Sequence, residues 1–222
     1  MKNEAASREQ GLRVTEIFHS LQGESRPVGL PTAFIRLTGC PLRCTYCDTA
    51  YAFYGGIRQT PDEILEQVAA FGTRHVCVTG GEPLAQRQCL PLLTRLCDEG
   101  YSVLLETSGA LAIDAVDPRV CIVLDLKTPA SGEVERNLWS NLGHLKPDDQ
   151  IKVVIGSRAD YDWARDKLFE HDLTAKCPVL FSPVWGQDNL ARELAEWILA
   201  DRLDVRFQVQ LHKILWGDRP GH

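Results

Sequence analysis

The stretch GCPLRCTYCDT sets Cys40, Cys44 and Cys47 in the spacing Cys-x3-Cys-x2-Cys. Three thiols so close together, directly after an apolar run, can converge from one loop onto one metal centre. Thiolates are soft ligands that select iron–sulfur clusters, zinc or Cu(I). A cuboidal cluster normally takes four protein ligands, so three thiolates leave one iron open to bind and activate a small molecule. A structural zinc ion with His19 or His75 as fourth ligand is the competing reading. It fits less well, because such sites favour paired Cys-x2-Cys units. Unligated loop thiols would be an oxidation liability and rank last. The other five cysteines, Cys77, Cys89, Cys97, Cys121 and Cys177, fall in apolar or helical patterns or before a proline and read as ordinary buried thiols.

The elements that must position this loop are short apolar runs separated by helical patterns. Strands are predicted at Val14–Phe18, Ala33–Leu37, His75–Thr79, Ser102–Glu106, Cys121–Leu126, Ile151–Ile155, Val179–Phe181 and Val205–Gln210. Continuous runs such as CIVLDL and KVVIG suit strands covered on both faces of a parallel sheet. Thr60-Pro61-Asp62-Glu63 supplies an N-cap, a first-turn proline and a capping-box glutamate. Further helices are predicted at Cys89–Glu99, ending at Gly100, and at Arg158–Glu170 and Leu190–Ala200. This alternation predicts an α/β fold of right-handed βαβ units. A complete eightfold barrel needs about 250 residues, and the 222 here would be tight. No linker-like composition divides the chain, so residues 1–222 read as a single domain.

Charge and composition narrow the function classes. With 24 Lys and Arg against 30 Asp and Glu the net charge is −6, which argues against a protein built to grip nucleic-acid backbone. No apolar run approaches the roughly 18–20 residues of a membrane helix. The polar start MKNEAASREQG lacks a secretory h-region. A cytoplasmic protein without membrane or nucleic-acid partners is expected.

The run Cys40-x3-Cys44-x-Tyr46-Cys47 resembles the signature of the radical S-adenosylmethionine enzymes, and VTGGEP (Val78–Pro83) resembles their Gly-Gly-Glu-Pro motif. The stretches EIFHSLQGES, AFIRLTGCPLRCTYCDTAY, LLETSG and QLHKILWG together look like the 7-carboxy-7-deazaguanine synthase family. The resemblance runs from about Glu16 to the C-terminus. It implies an incomplete (β/α) barrel of the radical S-adenosylmethionine type. It also implies a [4Fe-4S] cluster, S-adenosylmethionine as regenerated cofactor, and assisting Mg2+. The implied reaction is a radical ring contraction of 6-carboxy-5,6,7,8-tetrahydropterin to 7-carboxy-7-deazaguanine with loss of ammonia, on the route to queuosine. A homodimer and a flavodoxin- or ferredoxin-type electron donor follow from the same likeness.

Position by position, the resemblance assigns Cys40, Cys44 and Cys47 to the cluster and the Thr49 hydroxyl to Mg2+. Leu21, Gln22, Gly23 and Glu24 would contact the pterin, with Arg36 on a carboxylate, Thr79 on substrate and His212 beside Lys213 reaching in from the last strand. Arg36 has a structural Asp or Glu partner as its alternative. Tyr46, Cys47, Asp48, Gly81, Glu82, Glu106, Asp125, Leu126 and Lys127 would contact S-adenosylmethionine. Two positions depart from the family pattern: Ser25 stands where glycine is common, and Asp125-Leu126-Lys127 where Ser-Pro-Lys is common. The alternatives to this reading are a glycyl-radical-activating enzyme, which leaves LQGE and QLHK without a role, and a zinc-stabilised module without catalysis.

Overall fold

A computed structural model describes residues 11–187 and 189–221. Nine strands form one mixed sheet: β1 (Leu12–Leu21), β2 (Pro31–Leu37), β3 (Ile57–Gln59), β4 (His75–Gly80), β5 (Ser102–Thr107), β6 (Cys121–Leu126), β7 (Gln150–Ile155), β8 (Val179–Pro183) and β9 (Arg206–Phe207). Their order is β3-β1-β2-β4-β5-β6-β7-β8-β9. β1 runs antiparallel to β2 and β3, and every pair from β2 to β9 is parallel. The two end strands do not pair with each other, so the sheet is an incomplete barrel.

The helices are α1 (Pro61–Ala70), α2 (Cys89–Asp98), α3 (Arg158–Glu170), α4 (Leu190–Asp201) and α5 (Leu211–Trp216). α1 begins as its sequence dictates: the Thr60 hydroxyl accepts from the Glu63 N–H, and Glu63 reaches back to the Thr60 N–H at 2.7 Å. α2 ends before Gly100, whose φ of 84° is the left-handed conformation that glycine adopts without strain. The connections from β5 to β6 and from β6 to β7 carry no α-helix, which is how 222 residues fall short of a full barrel.

Strand alternation sorts the side chains into an outer and an inner layer. Val76, Val78, Val103 and Leu105 point outward into one core with the apolar faces of α1 and α2. Ile122, Leu124, Leu126, Ile151, Val153, Val179 and Phe181 enter a second core with α3 and α4. Inward, Phe34, Cys77, Leu104 and Val123 form a small apolar floor. The next inward positions up the same strands are Arg36, Thr79, Glu106 and Asp125, and β7 adds Lys152. The two outer cores against one small inner cluster show where the sheet draws its stability and where it is kept for chemistry.

Two expectations are corrected. The predicted strand Val205–Gln210 is a two-residue strand followed by an irregular segment, so His212 and Lys213 sit on α5. Strand β3 and helix α5 are too short to leave a periodic pattern in the sequence.

Candidate active site

The C-terminal ends of the parallel strands open onto a cavity of about 470 Å3. Its wall includes Leu21, Gln22, Gly23, Glu24, Arg36, Cys40, Cys44, Tyr46, Cys47, Asp48, Thr49, Thr79, Gly81, Glu106, Asp125, Lys127 and His212. All but two of the residues singled out by sequence therefore meet around one space. The exceptions are Glu82 and Leu126. Leu126 is 2% exposed and belongs to the outer core, because it follows inward-facing Asp125 on β6. Glu82 is completely buried. Its carboxylate accepts from the Thr107 hydroxyl at 2.9 Å, the Ser108 N–H at 2.7 Å, the Ser108 hydroxyl at 2.6 Å and the Leu84 N–H at 2.9 Å. Its carboxylate is committed to the protein, tying the ends of β4 and β5 together.

The glycines before Glu82 serve a close approach of two backbones. A Cβ on Gly81 would lie 2.3 Å from the Gly39 carbonyl oxygen, and one on Gly80 would lie 2.2 Å from that of Leu37. The Gly81 N–H donates to Leu37 and the Glu82 N–H to Gly39. This stitches the turn after β4 to the start of the cysteine loop. The loop's far side is held by Thr45, whose N–H donates to the Ser131 carbonyl at 3.0 Å and whose hydroxyl donates to that of Ala130 at 2.6 Å. Arg43 donates to the Cys40 carbonyl at 2.8 Å and stacks on Phe53 at 4.3 Å.

Cys40, Cys44 and Cys47 are all half-buried and line the cavity. Burial pushes each thiol above its ordinary range, so metal binding must release protons. The Leu42 N–H donates to Cys40 Sγ at 3.4 Å. Among the described residues no three His, Cys, Asp or Glu side chains gather tightly enough for a single metal ion. Three soft donors on one loop suit an iron–sulfur cluster. The zinc reading also loses its fourth ligand. His75 opens β4, at the opposite end of the strand from the cysteine loop, and His19 stacks on Phe71 at 5.5 Å.

Beside the cysteines, Tyr46 donates to or accepts from Thr128 at 3.3 Å, and burial pushes its phenol up to about 12. Lys127 pairs with Asp125 at 3.1 Å. Burial works against its charge, but Asp125 and the neighbouring Cys44 and Tyr46 hold it protonated. Asp48 accepts from the Thr49 hydroxyl at 2.8 Å and from Gln210 at 3.2 Å, and pairs with Lys213 at 3.2 Å. Partial desolvation raises its carboxyl, but Lys213 and those hydrogen bonds prevail and hold it below the usual range.

The opposite wall carries charge in a dry setting. Lys152, on β7, pairs with Glu24 at 2.5 Å. Glu106 accepts from Thr79 at 2.9 Å and from the Gln22 amide at 3.4 Å. Burial raises the Glu106 carboxyl, and nearby Glu24 adds to this, against Lys152, Thr79 and Arg36. Arg36 donates from Nε to Glu16 at 2.7 Å and faces Phe18 and Tyr51. The structural-carboxylate alternative for Arg36 is thus realised, while the residue still lines the cavity. His212 packs its ring against Gly23, where a Cβ would fall 2.0 Å from Nδ1. Burial lowers the imidazole's affinity for protons, offset in part by Glu24 and Asp48.

Lys152, Ser182 and Gln210 also line the cavity and were missed in the sequence. A lysine inside KVVIG, a run otherwise apolar, was the available signal. Three buried acceptors or donors in this wall have no protein partner: Glu24 Oε1, Asp125 Oδ1 and Ser182 Oγ. Buried polar groups are nearly always satisfied, so their spare capacity marks where a polar ligand sits.

Residues 34–120 match the model of the Radical SAM superfamily. The chain is 49% identical over 214 residues to the 7-carboxy-7-deazaguanine synthase of Chlorobaculum tepidum, covering 95% of this chain and 97% of that one. It is 40% identical over 210 residues to the synthase of Thermoplasma acidophilum, covering 94% and 99%. The crystal structure of QueE from Escherichia coli superposes with a TM-score of 0.74 at 24% identity, over 96% and 99% of the two chains.

Proposed function

Because the chain belongs to the 7-carboxy-7-deazaguanine synthase family of radical S-adenosylmethionine enzymes, we propose that it converts 6-carboxy-5,6,7,8-tetrahydropterin to 7-carboxy-7-deazaguanine with release of ammonia. The carrying observation is that the cysteine loop and the unpartnered acceptors Glu24 Oε1 and Asp125 Oδ1 face one cavity. When bound, a [4Fe-4S] cluster on Cys40, Cys44 and Cys47 with S-adenosylmethionine supplies one-electron cleavage and hydrogen-atom abstraction.

The protein's own residues divide the remaining work. Glu24 and Gln22 take the guanidine-like edge of the pterin, whose N–H donors match a carboxylate and an amide oxygen. Glu106, flanked by Gln22 and Thr79, is placed to accept hydroxyls or ring N–H groups. Lys152 balances the charge of Glu24, so that wall receives a neutral heterocycle without an uncompensated anion. Gly81, Tyr46 and Lys127 border the cofactor side. Arg36, His212 and the Asp48–Thr49 pair surround the mouth, where the hard oxygens of Asp48 and Thr49 suit Mg2+. Such a reaction is governed by positioning, since one C–H bond must meet the reactive centre. Membership of the family also supports a flavodoxin- or ferredoxin-type reductant, a homodimer and a cytoplasmic setting. Among the described residues no helix is long and apolar enough to cross a membrane.

Anaerobic incubation of iron- and sulfide-reconstituted protein with the pterin acid, reductant, Mg2+ and S-adenosylmethionine is expected to yield the deazaguanine acid and ammonia. Cofactor cleavage without that product would remove the substrate assignment.

A further inference from the structure

The seam of the open barrel is bridged at one point by side chain and backbone rather than by a strand ladder. Ser25 follows β1 in the LQGES loop and has φ 64°, a left-handed conformation that L side chains other than Asn and Asp rarely adopt. It is 1% exposed, and Gln208, just past β9, is 7% exposed. The Ser25 N–H donates to Gln208 Oε1 at 2.5 Å, and Gln208 Nε2 donates back to the Ser25 carbonyl at 3.0 Å. The Gln208 amide thereby makes the paired bonds that a neighbouring strand residue would make. Gln208 itself is anchored, its N–H donating to the carbonyl of Phe181 in the middle of β8. Three residues on, the Leu211 N–H donates to the Gly23 carbonyl at 2.9 Å, and His212 covers Gly23. One side of the loop thus ends in a clasp, and its other side carries Gln22 and Glu24 into the cavity.

We propose that Gln208 is a positioning residue for substrate: by clasping Ser25 in its strained conformation it fixes Gln22 and Glu24 for the heterocycle, while the cysteine loop is held mainly by the turn after β4 and the segment near Ser131, and touches the Gln208 segment only where Asp48 meets Gln210 and Lys213. This rests on the pterin reading above. It requires that loss of the clasp weaken pterin binding and leave the cofactor side alone. It also requires coupling to residue 25, since glycine adopts the left-handed conformation without strain and depends less on the clasp.

The test uses the reconstituted holoenzyme and its Gln208→Leu, Gln208→Glu, Ser25→Gly and Ser25→Gly/Gln208→Leu variants. Binding of 6-carboxypterin is followed by its fluorescence and the KM of the tetrahydropterin acid by turnover. Gln208→Leu is expected to weaken both by about tenfold, the scale of one buried hydrogen-bonded contact. Cluster absorbance and cofactor cleavage without pterin stay within twofold. In the Ser25→Gly background the loss is smaller, a non-additivity that general destabilisation would not produce. Gln208→Glu keeps the acceptor for the Ser25 N–H and is expected to fall between wild type and Gln208→Leu. It decides the matter if the leucine variant does not fold. A wild type that neither binds nor turns over the pterins brings down the substrate reading and the clasp with it. A wild type that does both, with variants that match it or with additive losses, overturns the clasp alone.

Discussion

Glu82, fully buried, and Glu106, partly buried on the cavity wall, are carboxylates at the ends of neighbouring strands that stand in opposite conditions. Glu82 is saturated by donors from Leu84, Thr107 and Ser108. Glu106 accepts from Gln22 and Thr79, has a carboxyl raised by burial and by Glu24, and lies on the cavity wall. The same side chain fastens the scaffold in one case and awaits a ligand in the other. What separates them is hydrogen-bond supply together with the open side that Glu106 turns to the cavity.

The contrast can be broken in four ways. The largest effect is expected outside the pair: replacing Cys40, Cys44 or Cys47 by Ala should abolish cluster absorbance and cofactor cleavage in reconstituted protein. Retention of either would contradict the ligand assignment. Next, Lys152→Met leaves Glu24 and Glu106 facing each other with no cation between them. Breaking a buried pair costs about 3–5 kcal/mol, read as a lowered midpoint in denaturant unfolding with an unchanged slope.

Third, Glu82→Ala strands the donors of Thr107 and Ser108. At about 1–3 kcal/mol for each unsatisfied buried group, the thermal midpoint should drop at every pH. A loss confined to catalysis would show that Glu82 acts on a ligand. Fourth and smallest, Glu106→Gln should have the opposite sign. The native Glu106 carboxyl lies above its unfolded value, so its ionisation costs stability as pH rises through the native value. That cost is absent below the unfolded pKa of about 4.3. The glutamine variant should therefore melt higher than wild type at pH 8, show no such gain near pH 4, and bind substrate less well.

Much of the scaffold was legible because its periods are local. Cys121–Leu126 and Arg158–Glu170 coincide with the predicted spans, and the Thr60–Glu63 box forms as written. The cysteine loop was legible because its ligands are adjacent in the chain. The outward turn of the Leu126 side chain follows from alternation along β6, which points it away from Asp125 and into the outer core. Lys152 with Glu24, and Ser25 with Gln208, were beyond reach. Their partners lie 128 and 183 positions apart, and only the closing of the sheet brings them together.

The cysteine loop is fastened on one flank to the glycine turn after β4 and on the other, through Thr45, to the segment near Ser131. Neither attachment uses iron. Because these ties run through the polypeptide itself, iron and sulfide supplied to oxygen-bleached protein are expected to restore cluster absorbance without an unfolding and refolding cycle.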